Sequence, residues 1–251
     1  MAHHSKTKAV IQAVVLAAGK GTRMGSDLHK VLHSLAGKPM LAHVLDNLKK
    51  LDASNTVVVV GAGREQITNM FPDIKTVIQE EQLGTGHAVL AAKNAIAQDS
   101  SVTLVLYGDV PLVSADTMQT LCNKVTQQRC LAVLGFRPKD TLAYGRLITD
   151  DTGELERIVE YAEASEAERQ EPLCNSGILA GRSDVLFELL ARVENDNSKG
   201  EYYLTDVVAL ARDAGYQVVT AEADPLEVTG VNSKDELAKL NSQLAEERDV
   251  L

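Results

Sequence analysis

Residues 14–30 read VVLAAGKGTRMGSDLHK, an apolar run that opens into a glycine-rich loop carrying Arg23 and Lys30. Gly19 and Gly21 let a backbone turn tightly enough for its N–H groups to approach anionic oxygens, and the two cations add mobile positive charge to that cradle. The chemistry this suits is the handling of phosphates. A Gly-x-Gly pair alone is equally an ordinary turn after a central strand, and the basic residues favour the phosphate reading. Two common phosphate loops do not fit. The dinucleotide fingerprint needs a third glycine where Met24 stands, and the ATPase loop needs Gly-Lys-Ser/Thr after four intervening residues.

A second candidate lies in Leu106-Tyr107-Gly108-Asp109-Val110-Pro111. Gly108 allows a sharp bend after an apolar strand and Pro111 stops further pairing, which places Asp109 at the loop end of that strand. Mg²⁺ usually takes one or two protein oxygens and completes its octahedron with water and phosphates, so one aspartate plus one further oxygen is enough. From the motif alone, an aspartate capping the following helix is about as good an account. Asn232, in Thr229-Gly230-Val231-Asn232-Ser233, is the candidate second oxygen; an asparagine before a helix is also a common cap, and Ser233 competes for that role.

These groups need a scaffold, and the first half of the chain supplies an alternating one. Residues 12–16, 56–60, 75–78 and 102–106 read as strands, and 40–51, 87–96 and 114–125 have the three- and four-residue apolar spacing of crossover helices. The expectation is an α/β fold, a doubly wound and mostly parallel, Rossmann-like sheet whose ligands collect at the carboxyl ends of the strands. After Phe136 the texture changes. Residues 145–149 and 155–161 flank Asp150-Asp151-Thr152-Gly153, a hairpin signal, followed by a charged helical stretch at 162–170, an apolar run at 177–180 and a helix at 204–214. The chain returns through 218–220 and 228–230, and a last helix opens at Ser233 with Glu236 completing a capping box. The expected organisation is a leader at 1–9, a domain at 10–232 and a C-terminal helix at 233–251. Within the domain, 10–136 is a nucleotide-binding core, 137–217 an inserted lobe and 218–232 the return.

The 251 residues can bury roughly 70–75% of the surface of the unfolded chain, ample for this plan. Three cysteines, an odd number without zinc-like spacing, suit ordinary thiols in a reducing cytoplasm. The net charge of −10 argues against non-specific attraction to nucleic acid or anionic membrane, so anionic ligands must meet local basic groups. No apolar run has the length of a membrane span, and MAHHSKTK lacks the apolar core of a secretion signal.

Eight motifs then stand in one order: residues 16–30, Gln79-Glu80-Glu81-Gln82-Leu83-Gly84-Thr85-Gly86-His87, Tyr107-Gly108-Asp109-Val110-Pro111, Tyr144-Gly145-Arg146, Ile158-Val159-Glu160, Asn175-Ser176-Gly177, Gly200-Glu201-Tyr202-Tyr203-Leu204-Thr205-Asp206 and Gly230-Val231-Asn232. Together they resemble the uridyltransferase half of the bacterial bifunctional N-acetylglucosamine-1-phosphate uridyltransferase / glucosamine-1-phosphate acetyltransferase family. The resemblance covers essentially everything after the leader. It implies that Leu16, Ala17, Ala18 and Gly19 line the nucleotide, that Gly21, Lys30, Tyr107 and Gly108 join them, and that Gln79, Gly84 and Thr85 recognise uracil. A side-chain amide both donates and accepts, which suits the imide edge of uracil and leaves a polar group unpaired against cytosine. Gly145, Glu160, Asn175, Tyr203 and Thr205 resemble the sugar site, and Asp109 with Asn232 the Mg²⁺ site. Read without the family, Gln79 is a surface residue at a strand end and Glu160 a solvated charge.

The implied reaction joins UTP and N-acetylglucosamine 1-phosphate into UDP-N-acetylglucosamine and pyrophosphate, with Arg23, Lys30 and Asp109 as the catalytic groups. Alternatives are a transferase for another sugar phosphate or nucleotide, and a non-catalytic UDP-sugar sensor, against which the presence of Asp109 and Lys30 counts. One departure stands out: the family commonly has proline before the loop lysine, and His29 stands there, an exchange expected to loosen the loop. The family's second half is a hexapeptide-repeat β-helix that builds a trimer and an acetyl-coenzyme A site. No such repeat follows Ser233 in this sequence, so the expectation is a monomer without acetyltransferase activity.

Overall fold

Every residue of β1 (Ile11–Ala17) is buried, and its side chains part to opposite faces. Ile11, Ala13, Val15 and Ala17 join one apolar cluster, while Val14 and Leu16 join another. A strand covered on both faces reads this way, as a near-continuous apolar run rather than an alternating one. In the computed structural model, which describes residues 9–19, 21–141 and 144–249, that strand lies inside a nine-stranded mixed sheet. Residues 1–8 of the expected leader lie outside the described residues.

A two-residue ribbon, β2 (Ser34–Leu35) and β3 (Lys38–Pro39), leads into α1 (Met40–Leu51). There follow β4 (Asn55–Val60), α2 (Arg64–Met70), β5 (Lys75–Ile78), α3 (Thr85–Ala91), β6 (Val102–Tyr107), α4 (Ala115–Asn123) and β7 (Arg129–Phe136). The second half adds β8 (Arg146–Thr149), β9 (Leu155–Val159), α5 (Glu166–Arg169), β10 (Cys174–Arg182), α6 (Ser183–Leu190), α7 (Val207–Asp213), β11 (Gln217–Ala223) and α8 (Lys234–Asp249). The main path of the sheet is β11-β7-β10-β6-β1-β4-β5, with the β8–β9 hairpin attached through β10. One face is covered by α1, α2 and α4, the other by α3, α6 and α7.

In the parallel part, Leu16 pairs with Tyr107, Ala17 with Val60, and Val60 with Ile78. The carboxyl ends of β1, β4, β5 and β6 are therefore level, and the loops that leave them share one rim. β10 is antiparallel to both its neighbours, β6 and β7. The segment 137–217 is thus divided. β10 and α6 belong to the central sheet and its cover, while β8, β9 and α5 form the projecting part. The expected 162–170 helix shrinks to α5, held by a capping box between Ser165 and Glu168. At 204–214 a 3₁₀ turn, Leu204–Asp206, runs into α7. The return at 218–220 lies within β11, whereas 228–230 forms no strand.

α8 docks rather than projecting. Leu240 is buried beside Leu35, Met40 and Val231, with Leu237 and Leu244 packed against the same cluster. At its start Ser233 Oγ accepts from the Glu236 N–H at 3.2 Å, as expected. The other half of the capping box differs: the Glu236 carboxylate reaches one residue further back and accepts from the Asn232 N–H at 2.5 Å. None of the helices among the described residues is long and apolar enough to cross a membrane.

Candidate active site

The glycine-rich loop closes on itself at one point. Gly21 has φ +60°, and a Cβ there would stand 2.7 Å from Cβ of Lys30, so the two limbs of the loop pass too closely for any other residue. Lys30 opens a 3₁₀ turn whose next two residues, Val31 and Leu32, are buried and fasten the lysine to the core. Its ammonium forms an ion pair with the Asp109 carboxylate and donates to Asn232 Oδ1 at 3.2 Å. Arg23 donates to the same amide oxygen, also at 3.2 Å. Lys30 and Asn232 are 202 residues apart in sequence.

Backbone contacts hold these groups in place. The Gly108 N–H donates to Leu16 O, and the Val231 N–H to Asp109 O, each at 2.9 Å. The first strand, the Asp109 loop and the approach to α8 are thereby fixed to one another. Lys234 of α8 donates to Gly25 O at 3.0 Å, tying the helix to the loop as well. Asp109 and Asn232 offer two hard oxygens that already share one cation, the Lys30 ammonium. That donor set fits a divalent ion completing its shell with water and phosphate oxygens. No group of three or more His, Cys, Asp and Glu side chains suited to a metal occurs among the described residues.

At position 29 the structure answers the expectation of a looser loop. His29 has φ −56°, a value proline would impose, and its N–H donates to Gln66 Oε1 of α2 at 2.7 Å. Gln66 Nε2 donates in turn to Asp27 O at 2.8 Å. A side chain on α2 thus restrains the loop through a donor that proline lacks. The imidazole is buried with both nitrogens unpartnered, and burial, assisted by the Lys30 charge, lowers its pKa and keeps it neutral.

Two cavities open on the rim. The first, about 340 Å³, is lined by Leu16, Ala17, Ala18, Gly19, Lys30, Gln79, Gly84, Thr85, Tyr107 and Asp109. Gly21 and Gly108, expected among the nucleotide-binding residues, are not part of this lining, and Arg23 stands exposed outside it. The second, about 540 Å³, is lined by all five expected sugar-site residues, Gly145, Glu160, Asn175, Tyr203 and Thr205. Thr85, Tyr107 and Glu201 line both. Thr85 Oγ1 accepts from the Leu204 N–H at 3.0 Å, which joins the start of α3 to the turn carrying Thr205.

Within the second cavity, a Cβ at position 145 would lie 3.6 Å from both Glu160 carboxylate oxygens, so Gly145 leaves the space Glu160 occupies. Burial raises the Glu160 pKa; Lys199 pulls it down and Glu163 pushes it up. Asp206 is raised by burial and by the charges of Glu163 and Glu160. Asn175 is set by its N–H donating to Gly145 O at 2.9 Å, and its Oδ1 accepts from the Gly177 N–H at 2.9 Å.

Sequence reasoning passed over several residues here. Gln82 lines the first cavity and donates to Ala18 O, bracing the loop from across the rim. Glu201 stands between the cavities; Gln82 and Glu201 were both inside quoted motifs, without any local sign of the contacts they make. Arg146 is fully buried behind the second cavity, bonded to Tyr144 O and lying 5.6 Å from the Tyr161 ring centroid. The cysteines take no part: all three are buried, and burial pushes Cys122 and Cys130 up to about 12.

A level rim of parallel strands and a glycine loop bearing cations suit the phosphates of a nucleotide. The MobA-like NTP transferase domain model matches residues 13–199, and the chain belongs to that family. It is similar to proteins named "Bifunctional protein GlmU". That of Zymomonas mobilis subsp. mobilis is 52% identical over 92% of this chain and 52% of its own length. The Rhodospirillum rubrum relative is 50% identical over 90% of this chain and 51% of its own. The chain therefore spans about half the length of the curated relatives it matches. A crystal structure of UDP-glucose pyrophosphorylase complexed with UDP-glucose shares the fold, with a TM-score of 0.75 at 16% identity, covering 95% of this chain and 99% of that one.

Proposed function

We propose that the chain transfers UMP from UTP to N-acetylglucosamine 1-phosphate, giving UDP-N-acetylglucosamine and pyrophosphate. The observation that carries this reading is the meeting of Arg23, Lys30, Asp109 and Asn232 beside two cavities that share a wall. Nucleotide and sugar phosphate would enter from separate sides and bring their phosphates together there. The name of the GlmU relatives and the nucleotide-sugar ligand of the pyrophosphorylase fit that division of space.

No general base is needed. A phosphate monoester with a second pKa near ~6 is mostly dianionic at neutral pH, so the nucleophile arrives ionised. The protein aligns two anions that repel each other and offsets charge on the leaving pyrophosphate. Lys30 would serve the meeting phosphates, and Arg23 with the loop N–H groups the leaving pyrophosphate. Asp109 and Asn232 would hold a divalent cation, with Mg²⁺ the natural choice for phosphate oxygens; when bound it supplies Lewis-acid stabilisation of phosphoryl charge. Glu160 and Asn175 would pair with sugar hydroxyls and the acetamido group.

The test is pyrophosphate release across nucleotide and sugar-phosphate pairs, with and without Mg²⁺. UTP with N-acetylglucosamine 1-phosphate should exceed every other pair and require the ion. Equal turnover of glucose 1-phosphate would move the assignment to another nucleotide sugar, and tight UDP-sugar binding without turnover would favour a sensor.

A further inference from the structure

Gln79 follows β5, its backbone N–H fixed to Val60 O at 2.8 Å, and its side chain lines the nucleotide cavity. Both hydrogens of its amide are nevertheless engaged within the protein. Nε2 donates to Gly84 O at 3.1 Å and stands 3.1 Å from Nδ1 of His87. A carbonyl oxygen only accepts, so the end of the amide facing Gly84 must be the NH₂. His87 Nδ1 is then the acceptor of the second hydrogen, and the proton of the neutral ring sits on Nε2. What remains for the cavity is Gln79 Oε1, which has no hydrogen-bond partner among the described residues. His87 itself is half-buried on α3, outside the cavity wall, with its ring 6.3 Å from that of Tyr202.

We infer that His87 is a positioning residue for base selection: its Nδ1 holds the Gln79 amide so that only an acceptor faces the ligand. This rests on the uridine-nucleotide reading above and sharpens it. Uracil carries a hydrogen on ring N3 and can donate it to Oε1. Cytosine in the same pose carries a lone pair at N3, so two acceptors would confront each other in a partly dry pocket, and the ring would have to leave that pose to bring its 4-amino group to Oε1. Rotating the amide by half a turn would relieve that clash, but it would set Oε1 against Gly84 O and against His87 Nδ1. His87 thereby raises the cost of accommodating the wrong base without touching it.

The experiment compares His87→Leu, His87→Asn and His87→Gln with the wild type, measuring kcat and KM for UTP and CTP together with UDP and CDP binding by calorimetry. Asparagine Oδ1 stands near the position of Nδ1 and keeps an acceptor there. Leucine removes it, and the longer glutamine places its amide nearer the Nε2 position. The Leu and Gln variants should lose roughly three- to tenfold of the uridine-over-cytidine preference, the worth of one hydrogen bond, mainly through KM. The Asn variant should stay near the wild type, and KM for the sugar phosphate should not move in any of them. The Gln variant keeps the comparison open if the apolar one does not fold. Selectivity unchanged in the Leu and Gln variants, or lost equally in Asn, would overturn the inference while leaving the uridyltransferase reading intact. A wild type without uridine preference would overturn both.

Discussion

Asp109 is held by its backbone, and its carboxylate pairs with the Lys30 ammonium at the cavity wall rather than packing in the core. Asp109→Ala should leave circular dichroism unchanged, lower the melting temperature modestly by leaving Lys30 unpaired, and lower turnover by about 10²–10³, the usual cost of removing one contact to developing charge. Asn232→Ala should act in the same direction more weakly, and near-normal turnover of the double variant at saturating Mg²⁺ would relocate the ion. Glu160 allows a pH prediction. Burial raises its pKa, so as the pH falls it protonates earlier than an exposed glutamate and loses its acceptor charge. KM for the sugar phosphate should therefore climb on the acid side while KM for UTP changes less. The sugar phosphate also gains a proton in this range, so the comparison is with Glu160→Gln, in which the part of the climb due to the protein should vanish. An identical pH profile in both proteins would remove Glu160 from the sugar site.

Among the elements, the loop from Gly21 to Lys30 carries most of the chemistry, and its restraint by α2 changes what a proline at position 29 should do. His29→Pro would gain about 0.4–1 kcal/mol by stiffening the unfolded chain at a φ the native state already has. It would also remove the bond to Gln66, worth about 0.5–1.5 kcal/mol. The two nearly cancel, so melting temperature and kcat should stay close to the wild type, and a large gain in either would show that histidine does loosen the loop. The same loop shows what sequence can and cannot convey. Its glycines, its cations and the strand before it are local and could be read directly; α1 was legible to the residue because its apolar spacing starts just after Pro39 and stops at Asp52. Gln66 was not legible as a restraint, because a glutamine on an exposed helix face carries no sign of the loop it reaches. The limit at Gln79 is similar: its motif was visible, but the use of both its amide hydrogens depends on where α3 turns His87.

For the whole molecule, the site joins positions that no periodic pattern links, as the 202-residue separation of Lys30 and Asn232 illustrates. Resemblance linked Asn232 to Asp109 in advance, where composition and spacing left Asn232 a plain helix cap, but gave no sign of its contact with Lys30. The least legible part was β10. Its sequence, CNSGILAGR, mixes polar residues and glycines, and nothing in it announces a strand lodged between two others. α8 brings the last expectation. Its apolar stripe is covered by Leu35, Met40 and Val231, which leaves little for a second copy to bury. Light scattering on the 251-residue chain should give a monomer, and a stable trimer would mean that another surface associates.

β10 also sets an order of events during synthesis. Its two neighbours, β6 and β7, leave the ribosome first, yet each has an edge that only β10 can pair, in strands whose side chains are almost wholly buried. Until residue 182 has emerged, the nascent chain therefore presents two apolar ladders with open N–H and C=O groups, the arrangement most prone to pairing with a neighbour. A chain ending at Phe136 contains β1, β4, β5 and β6, the parallel strands beneath the site, and should still fail: it is expected to pellet or to bind a hydrophobic dye, while one ending after β11 unfolds cooperatively. Pulse-labelled hydrogen exchange on refolding should find the β6 amides that face β10 protected in step with β10 rather than with β1, so that the Asp109 end of the site is among the last parts to set.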